Sequence, residues 1–220
     1  MTMHLSSVFP AEPLRAKFSQ SVLIEQWDKS QLAKIATLKK ESIFEIGAGA
    51  WDRYVASNED CDPQALSKYF QEQDSRLYLA MERQIRSKVL IDISYTLATV
   101  EDDAPLSKCV GELLLAIVHP GVLCISDVTF ANVYAPIPDD ERRYPFQSFK
   151  GLDLLPILID NCSAFCSAHG ISQITLTAAD VGLMNLFESY GFKVADTPAG
   201  MLGLQTRTGI PMSRMVERTA

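Results

Sequence analysis

The sequence predicts an α/β (α+β) protein built on a mixed, mostly antiparallel central sheet that is flanked by helices. Two observations predict this class. The central region alternates β-branched and aromatic residues with polar ones between turn residues, which is typical of antiparallel strands. The C-terminal third alternates helical and strand patterns, which is typical of helices packed on a sheet. No internal repeat or low-complexity tract is visible.

The composition indicates one large domain. The chain has 220 residues, of which 47% are hydrophobic and 21% charged, and this is enough apolar content for a substantial core. The formal net charge of −7 argues against a nonspecific nucleic-acid binder, because phosphate binding needs clustered Lys and Arg. We expect residues 21–220 to form a single domain, preceded over residues 1–20 by a loose arm or edge addition.

The number and spacing of the cysteines indicate whether disulfides or a metal site are present and which cellular compartment fits. There are five, an odd number, and none forms a C-x-x-C pair, so neither a disulfide framework nor a metal site is predicted. This usage favours a reducing cytoplasm. No apolar run approaches the roughly 20 residues that a membrane-spanning helix needs, and the N-terminus lacks the features of a signal peptide. The sequence therefore predicts a cytoplasmic protein without a membrane segment.

A strand and two helices are predicted in the N-terminal part. Residues 21–27 ("SVLIEQW") form a β-rich run, and Asp28 then caps a helix that the apolar spacing carries to residue 46. The glycines that follow, in residues 47–62, predict a loop that ends this helix. They resemble a phosphate loop only superficially, because the third glycine and the lysine are missing. A second helix is expected from Asp62-Pro63.

Four antiparallel strands are predicted between residues 76 and 135, separated by turn residues. Their sequences are "RLYLAME", "KVLIDISYTLATV", "CVGELLLAIV" and "CISDVTFANVYA". A polar, proline-marked loop over residues 136–151 is expected next.

The remaining chain predicts a helix, a strand, a helix and two strands. An apolar stripe from Leu152 to Cys166 indicates a helix that stops at Gly170 and tolerates Pro156 only near its first turn. "SQITLTA" (172–178) is a short buried strand. The next helix runs to Tyr190, and the strands "FKVAD" and "IPMSRMV" follow.

The segment from residue 151 to residue 216 resembles the C-terminal half of the GNAT superfamily, the acyl-CoA-dependent N-acyltransferases. The resemblance rests on Gly151 before a helix opening with Leu154-Leu155, on "ITLTA", on "LMNLFESYGFKV" as the helix that ends in Gly-Phe, and on "PMSRMV". It implies a GNAT-like fold and acetyl-CoA or another acyl-CoA as substrate. The pyrophosphate would bind at the helix N-terminus near Gly151, and pantetheine would lie where the neighbouring parallel strands "DVTFANVYA" and "SQITLTA" separate.

The chain departs from the family at two motifs, so it resembles a divergent member with a degenerate pyrophosphate loop. The loop pattern of Gln or Arg, two residues, Gly, one residue, then Gly or Ala falls on Phe146, Phe149 and Gly151, and only the last position matches. The Tyr that protonates the leaving thiolate in many members is Phe187 here. The family's frequent Asn corresponds to Asp180.

The resemblance places candidate residues in two groups. Glu112 and Asp127 lie on strands that would face the acyl-transfer cleft, where a carboxylate is the usual base for an amine; the alternative is that either lies on the solvent face. Tyr134 would present its hydroxyl or nearby amides to the reacting carbonyl, unless it is an interfacial aromatic. The candidate cofactor-binding residues are Val133, Gln147, Phe149, Lys150, Gly151 and Leu152.

The resemblance implies transfer of an acetyl or short acyl group from acyl-CoA to a primary amine by direct attack. The acceptor would be a small molecule or a protein, and a homodimer is compatible with the fold. A catalytically inactive GNAT-fold module that binds acyl-CoA or a protein partner is the alternative. A synthase that uses an acyl carrier protein ranks below both, because its N-terminal signature residues are not found.

Overall fold

The structure, a computed structural model, describes residues 4–57, 90–103, 106–144 and 147–216. The helix expected from Asp62-Pro63, the strand "RLYLAME" and Phe146 lie outside the described residues. The described helices are α1 (Ala11–Arg15), α2 (Leu32–Leu38), α3 (Lys40–Ser57), α4 (Leu155–His169), α5 (Val181–Ser189) and α6 (Pro198–Thr206). None of these is long and apolar enough to cross a membrane.

Eight strands in the described part of the chain form one mixed, mostly antiparallel sheet. They are β1 (Val22–Asp28), β2 (Leu90–Val100), β3 (Cys109–Val118), β4 (Val122–Pro136), β5 (Phe149–Gly151), β6 (Gln173–Asp180), β7 (Lys193–Val194) and β8 (Thr208–Met215). The order across the sheet is β1-β2-β3-β4-β6-β8-β7, and β5 pairs separately with β4. All pairs are antiparallel except β4 with β6. The predicted fold class is therefore confirmed.

Both faces of the sheet are covered. Along β3, Leu113 and Leu115 enter one core, which α4 covers and which we call the α4-side core. Leu114 and Ala116 enter a second core with residues of α2 and α3, which we call the α3-side core. Because successive side chains of a strand point to opposite faces, one unbroken apolar run fills both cores. This is why "CVGELLLAIV" lacks strict alternation.

The first long helix differs from the sequence prediction in two ways. It is interrupted at Lys39, whose backbone leaves the helical region at φ −130° and ψ 49°. It then continues as α3 to Ser57, so the loop predicted from Gly47 is wrong. Glycine costs about 1 kcal/mol in a helix interior. Packing outweighs that cost here, because Gly47 is buried and Ile46 is buried in the α3-side core.

The N-terminal residues also differ from expectation. Leu5, Val8, Phe9 and Leu14 are buried in the α4-side core, so this part of the chain is not a loose arm. Burying an apolar side chain stabilises the fold by about 1.5–3 kcal/mol. Burial of these four side chains therefore contributes to holding the segment against the sheet.

The sequence analysis missed α6 and assigned no element to its residues. Thr197 caps it by accepting a hydrogen bond from the Gly200 N–H at 3.1 Å. A Cβ at Gly200 would collide with the Ala195 carbonyl, and one at Gly203 would lie 2.9 Å from the Ile210 Cα. Glycine is needed at these positions because the backbone of this helix packs directly against the segments of the same chain at Ala195 and Ile210.

Candidate active site

The parallel strands β4 and β6 separate midway along the sheet. Their pairing covers only Val122–Ile125 against Gln173–Leu176. Beyond that point β4 continues to Pro136 and β6 to Asp180 without pairing with each other. The separation leaves a gap between adjacent strands, as the resemblance implied for the pantetheine site. Backbone polar groups along such a gap are available to an amide-rich ligand.

A β-bulge lies at the apex of this gap. Leu114 of β3 pairs with Asp127, whereas Leu115 pairs with Ile125, so Ser126 is an extra residue on β4. Ser126 has no partner on β6 either, because the parallel pairing ends at Ile125. The extra residue of a bulge is left out of the ladder. Ser126 therefore has no paired residue in either ladder at the point where the strands part.

The two predicted catalytic carboxylates meet beside the bulge. Lys39 Nζ lies 2.8 Å from Glu112 Oε1 and 3.2 Å from Asp127 Oδ2. Glu112 and Asp127 both project to the α3 side of the sheet, because they share the face of Leu114. Neither is a freely solvated surface carboxylate, since the exposed fractions of their side chains are 21% and 30%.

Two hydroxyl groups complete this cluster. Tyr95 donates to Glu112 Oε1 at 2.6 Å, and Ser42 donates to Asp127 Oδ2 at 2.7 Å. Burial raises the pKa of Tyr95, and the hydrogen bond and negative charge of Glu112 raise it further. Burial lowers the pKa of Lys39, but its hydrogen bonds and attraction to Glu112 and Asp127 outweigh burial, so the pKa lies above its ordinary value.

A pocket of about 310 Å³ opens on the same side of the sheet. Glu45 and Ile46 of α3 line it, together with residues of β4, β6 and β8. Ser126 and Thr177, the first unpaired residues of the two separating strands, are also in its wall. The pocket therefore adjoins both the bulge and Asp127, which follows Ser126 directly.

Tyr134 lies apart from this cluster. It is seven residues beyond Asp127, or roughly 23 Å along an extended strand. Its hydroxyl accepts a hydrogen bond from Gln20, its ring packs against Phe18 with centroids 6.3 Å apart, and its N–H donates to Asn132 Oδ1 at 3.1 Å. Neighbouring Val133 is buried in the α4-side core. These contacts join Tyr134 to the N-terminal segment at Phe18 and Gln20.

The segment around Gly151, which was predicted to bind the pyrophosphate at a helix N-terminus, has a different local geometry. Lys150 and Gly151 lie in β5, paired with Asn132 and Ala131, rather than at a helix start. The amide of Leu152 donates to the Phe130 carbonyl at 3.2 Å.

The helix itself starts at Leu155, with Pro156 in its first turn as the sequence required. No side chain of the described residues caps this end, so within that part of the chain the Leu155 and Ile157 amides are donors without a partner. Asp153 stands just before it in the left-handed region, with φ 57°.

The remaining candidate cofactor-binding residues of this loop differ in burial, hydrogen bonding and charge. Phe149 is partly buried against the α4-side core. Gln147 has a buried side-chain oxygen without a hydrogen-bond partner among the described residues, and its N–H donates to the Tyr144 carbonyl. Lys150 is exposed and is the nominated residue that carries a positive charge to this end of β4.

The two positions where the family motif is altered have structural roles here. Phe187 is buried and packs edge-on against Phe192, with centroids 5.9 Å apart. Asp180 is the N-cap of α5, accepting from the Leu183 N–H at 2.8 Å. Within the described residues, no group of three or more His, Cys, Asp or Glu is arranged to hold a metal ion.

Comparison with known proteins gives likenesses at the level of structure. No model of a known protein family matches the sequence, and no curated protein sequence matches it. The structure is similar to the PaiA N-acetyltransferase of Thermoplasma acidophilum in complex with coenzyme A, at 14% identity and a TM-score of 0.35 over 89% of this chain and 99% of that chain. It is also similar to a GNAT-family acetyltransferase of Staphylococcus aureus, at 14% identity and a TM-score of 0.37, covering 90% and 100% of the two chains.

An IAA acetyltransferase of Bacillus cereus is similar at 11% identity and a TM-score of 0.39, covering 89% and 100%. All three of these solved structures are acetyltransferases. The candidate site is defined by the strand order, the gap between β4 and β6 and the side chains around it.

Sequence reasoning found the two carboxylates but missed their partners. Lys39 was visible only as part of a short basic pair, and Tyr95 as one aromatic residue of a strand. The bulge at Ser126 has no sequence signal, since "CISDVTF" reads as a continuous strand. The helix break at Lys39 has no glycine or proline to announce it.

Proposed function

We propose that this protein transfers an acetyl or other short acyl group from acyl-CoA to a primary amine by direct attack. The observation that carries the proposal is the pair Glu112 and Asp127, which hold an ammonium group beside an unpaired bulge residue at the apex of the strand gap. An amine acceptor needs a carboxylate for its ammonium, and a thioester needs an N–H for its oxyanion. Both groups lie within one stretch of β4.

Acyl-CoA would use the gap and the start of α4. Pantetheine would pair with backbone of β4 and β6 beyond Ile125, where the strands no longer pair with each other. The pyrophosphate would accept from the free Leu155 and Ile157 amides, aided by the exposed Lys150. The acyl group would then point along the gap toward Ser126.

The chemistry follows from these positions. Glu112 or Asp127 removes one proton from the acceptor ammonium, and the neutral nitrogen attacks the thioester carbon. The backbone N–H at Ser126 donates to the oxyanion. Collapse forms the amide and expels the CoA thiolate, which takes a proton from water because Phe187 has none to give. The second amine proton is lost to the carboxylate or to solvent.

Lys39 supports the assignment of an ammonium site. Its Nζ lies 2.8 Å from Glu112 and 3.2 Å from Asp127, at the position that the acceptor ammonium would take. An acceptor ammonium would exchange with Lys39 or share Asp127 with it. We infer that the positive charge of Lys39 offsets the repulsion between the two carboxylates until the acceptor binds.

Turnover of acetyl-CoA with a panel of primary amines, followed by release of free thiol, tests the proposal. We expect Glu112→Gln and Asp127→Asn to lower kcat/KM by about 10²–10⁴-fold, the usual contribution of a general base. Glu41→Gln, at an exposed position in the first turn of α3, is the matched control and keeps full activity. Full activity in both site variants would overturn the assignment.

A second function, binding of acyl-CoA without turnover, is favoured by one observation. Phe187 is buried in place of the family's acid and contributes to the core instead of the cleft. Micromolar binding of acetyl-CoA with no thiol release across the amine panel would support this function over the enzyme.

A further inference from the structure

The pocket beneath α3 has an uneven distribution of charge. Among its described lining residues, Glu45 is the only one with a carboxylate, and no lysine, arginine or histidine is present. Glu45 is exposed and makes no ion pair with any described residue. Within the described part of the chain, its charge is therefore not neutralised by an ion pair. The rest of the wall combines apolar side chains, such as Ile46 and Met212, with uncharged polar ones.

Glu45 stands at a defined place relative to the carboxylate pair. It is three residues after Ser42 on α3, and Ser42 donates to Asp127. Residues three apart on a helix are neighbours, with Cβ atoms about 5–6 Å apart. Two acidic positions therefore lie at and next to the pocket, since Glu45 is in its wall and the pair of Glu112 and Asp127, which Lys39 contacts, adjoins it through Ser126. One is the Glu112 and Asp127 pair beside the bulge, and the other is Glu45 about one helical turn away.

We propose that this pocket selects acceptor amines that carry a second positive charge and rejects those that carry a carboxylate. The inference rests on the proposed function, because it assigns the acceptor class to the same site. The reacting amine lies at the Glu112 and Asp127 pair, a short apolar chain follows Ile46, and the second cation pairs with Glu45. A zwitterionic acceptor would place its carboxylate beside Glu45, with no cation in the described wall to compensate.

Three probes of matched length test the charge rule. They are 1,4-diaminobutane, n-butylamine and 4-aminobutanoate, which differ only in the group at the far end. Binding to the full-length protein is measured by calorimetry without acyl-CoA, and KM is measured with acetyl-CoA. We expect the affinity to fall in the order given, with about three- to fivefold between the first two, the usual effect of one exposed charge pair.

Substitutions in α3 test whether the Glu45 side chain causes the preference for the diamine. Glu45→Gln should remove the preference for the diamine over n-butylamine, and Glu45→Lys should reverse the order of the diamine and 4-aminobutanoate. Glu41→Gln, one turn earlier on the same helix and outside the pocket lining, should leave all three affinities unchanged. Equal affinities for the three probes in the wild-type protein, or an unchanged order in Glu45→Lys, would overturn the proposal.

The binding arm separates this proposal from the catalytic one. Preferential binding of the diamine without turnover would support the pocket assignment while contradicting acyl transfer. Turnover of n-butylamine with no preference for the diamine would contradict the pocket assignment and leave acyl transfer in place.

Discussion

The ammonium group of Lys39 lies 2.8 Å from Glu112 Oε1. The two residues belong to different layers, since Lys39 stands at the break between α2 and α3 and Glu112 lies on β3. Their contact, extended to Asp127 at 3.2 Å, ties the helical layer to the strand gap. We therefore expect the stability of the fold and the proposed acyl transfer to depend on the same three side chains.

Replacing Lys39 with Met should destabilise the protein by about 1–3 kcal/mol. The substitution leaves two partly buried carboxylates close together without their counter-charge. Urea unfolding followed by circular dichroism measures the change. Lys17→Met, at an exposed position, is the control and should alter the free energy of unfolding by less than about 0.5 kcal/mol. A Lys39→Met protein as stable as this control would contradict the structural role of the ion pairs.

The cluster should also make stability fall at alkaline pH. The pKa values of Lys39 and Tyr95 are both raised in the folded protein, so both groups bind their protons more tightly when folded. Their contribution is complete below the ordinary pKa values, near about 10, and is lost as the pH rises through the folded values. The free energy of unfolding should therefore decline from about pH 10 upward.

Two variants test whether Lys39 and Tyr95 cause this decline. The free energy of unfolding of Lys39→Met and of Tyr95→Phe should fall less steeply with pH than that of the wild-type protein. Denaturant titrations between pH 8 and pH 11 measure the slopes. Slopes identical to wild type in both variants would show that the alkaline loss of stability comes from other groups.

Asp180 should act as a helix cap. Asp180→Ala removes the acceptor for the Leu183 N–H and should cost about 1 kcal/mol, whereas Asp180→Asn retains an oxygen acceptor and should cost less. Thermal unfolding of the two variants measures the difference. If Asp180→Ala kept wild-type stability but lost turnover, the residue would have a role at the site instead.

Asp153 should weaken acyl-CoA binding. Its backbone lies in the left-handed region and its negative charge stands at the uncapped start of α4, where the phosphates would bind. Asp153→Gly should stabilise the protein by about 1 kcal/mol and tighten CoA binding severalfold. Asp153→Asn removes only the charge, so it should tighten binding without the full gain in stability. Weaker CoA binding in both variants would place the pyrophosphate elsewhere.

Elements with long apolar runs were predictable from the sequence. "CVGELLLAIV" matches β3 residue for residue, because its pattern reports burial on both faces. α3 was predicted to stop at Gly47 because glycine weakens helices locally, whereas the helix continues through Gly47, which is buried next to Ile46 of the α3-side core. The same limit applies to α6, where glycines permit close packing instead of ending a helix.

The site was predictable only in part, for the same physical reason. The family resemblance and the strand pattern pointed to Glu112 and Asp127. The sequence does not specify which helical turn lies over which strand, so Lys39, Tyr95 and the pocket residue Glu45 emerged only with the fold. Tyr134 was nominated because it ends a strand, but a long strand carries its end away from the bulge.

Calorimetric titration with acetyl-CoA and with free CoA tests the central claim most directly. The wild-type protein should bind both with a Kd on the order of micromolar. Gly151→Ala should bind equally well, because a Cβ there meets only the Phe130 carbonyl oxygen at 3.9 Å. Gly151→Trp should bind at least tenfold more weakly. Absence of binding to the folded wild-type protein, or undiminished binding by Gly151→Trp, would contradict the account of a CoA site between β4 and α4.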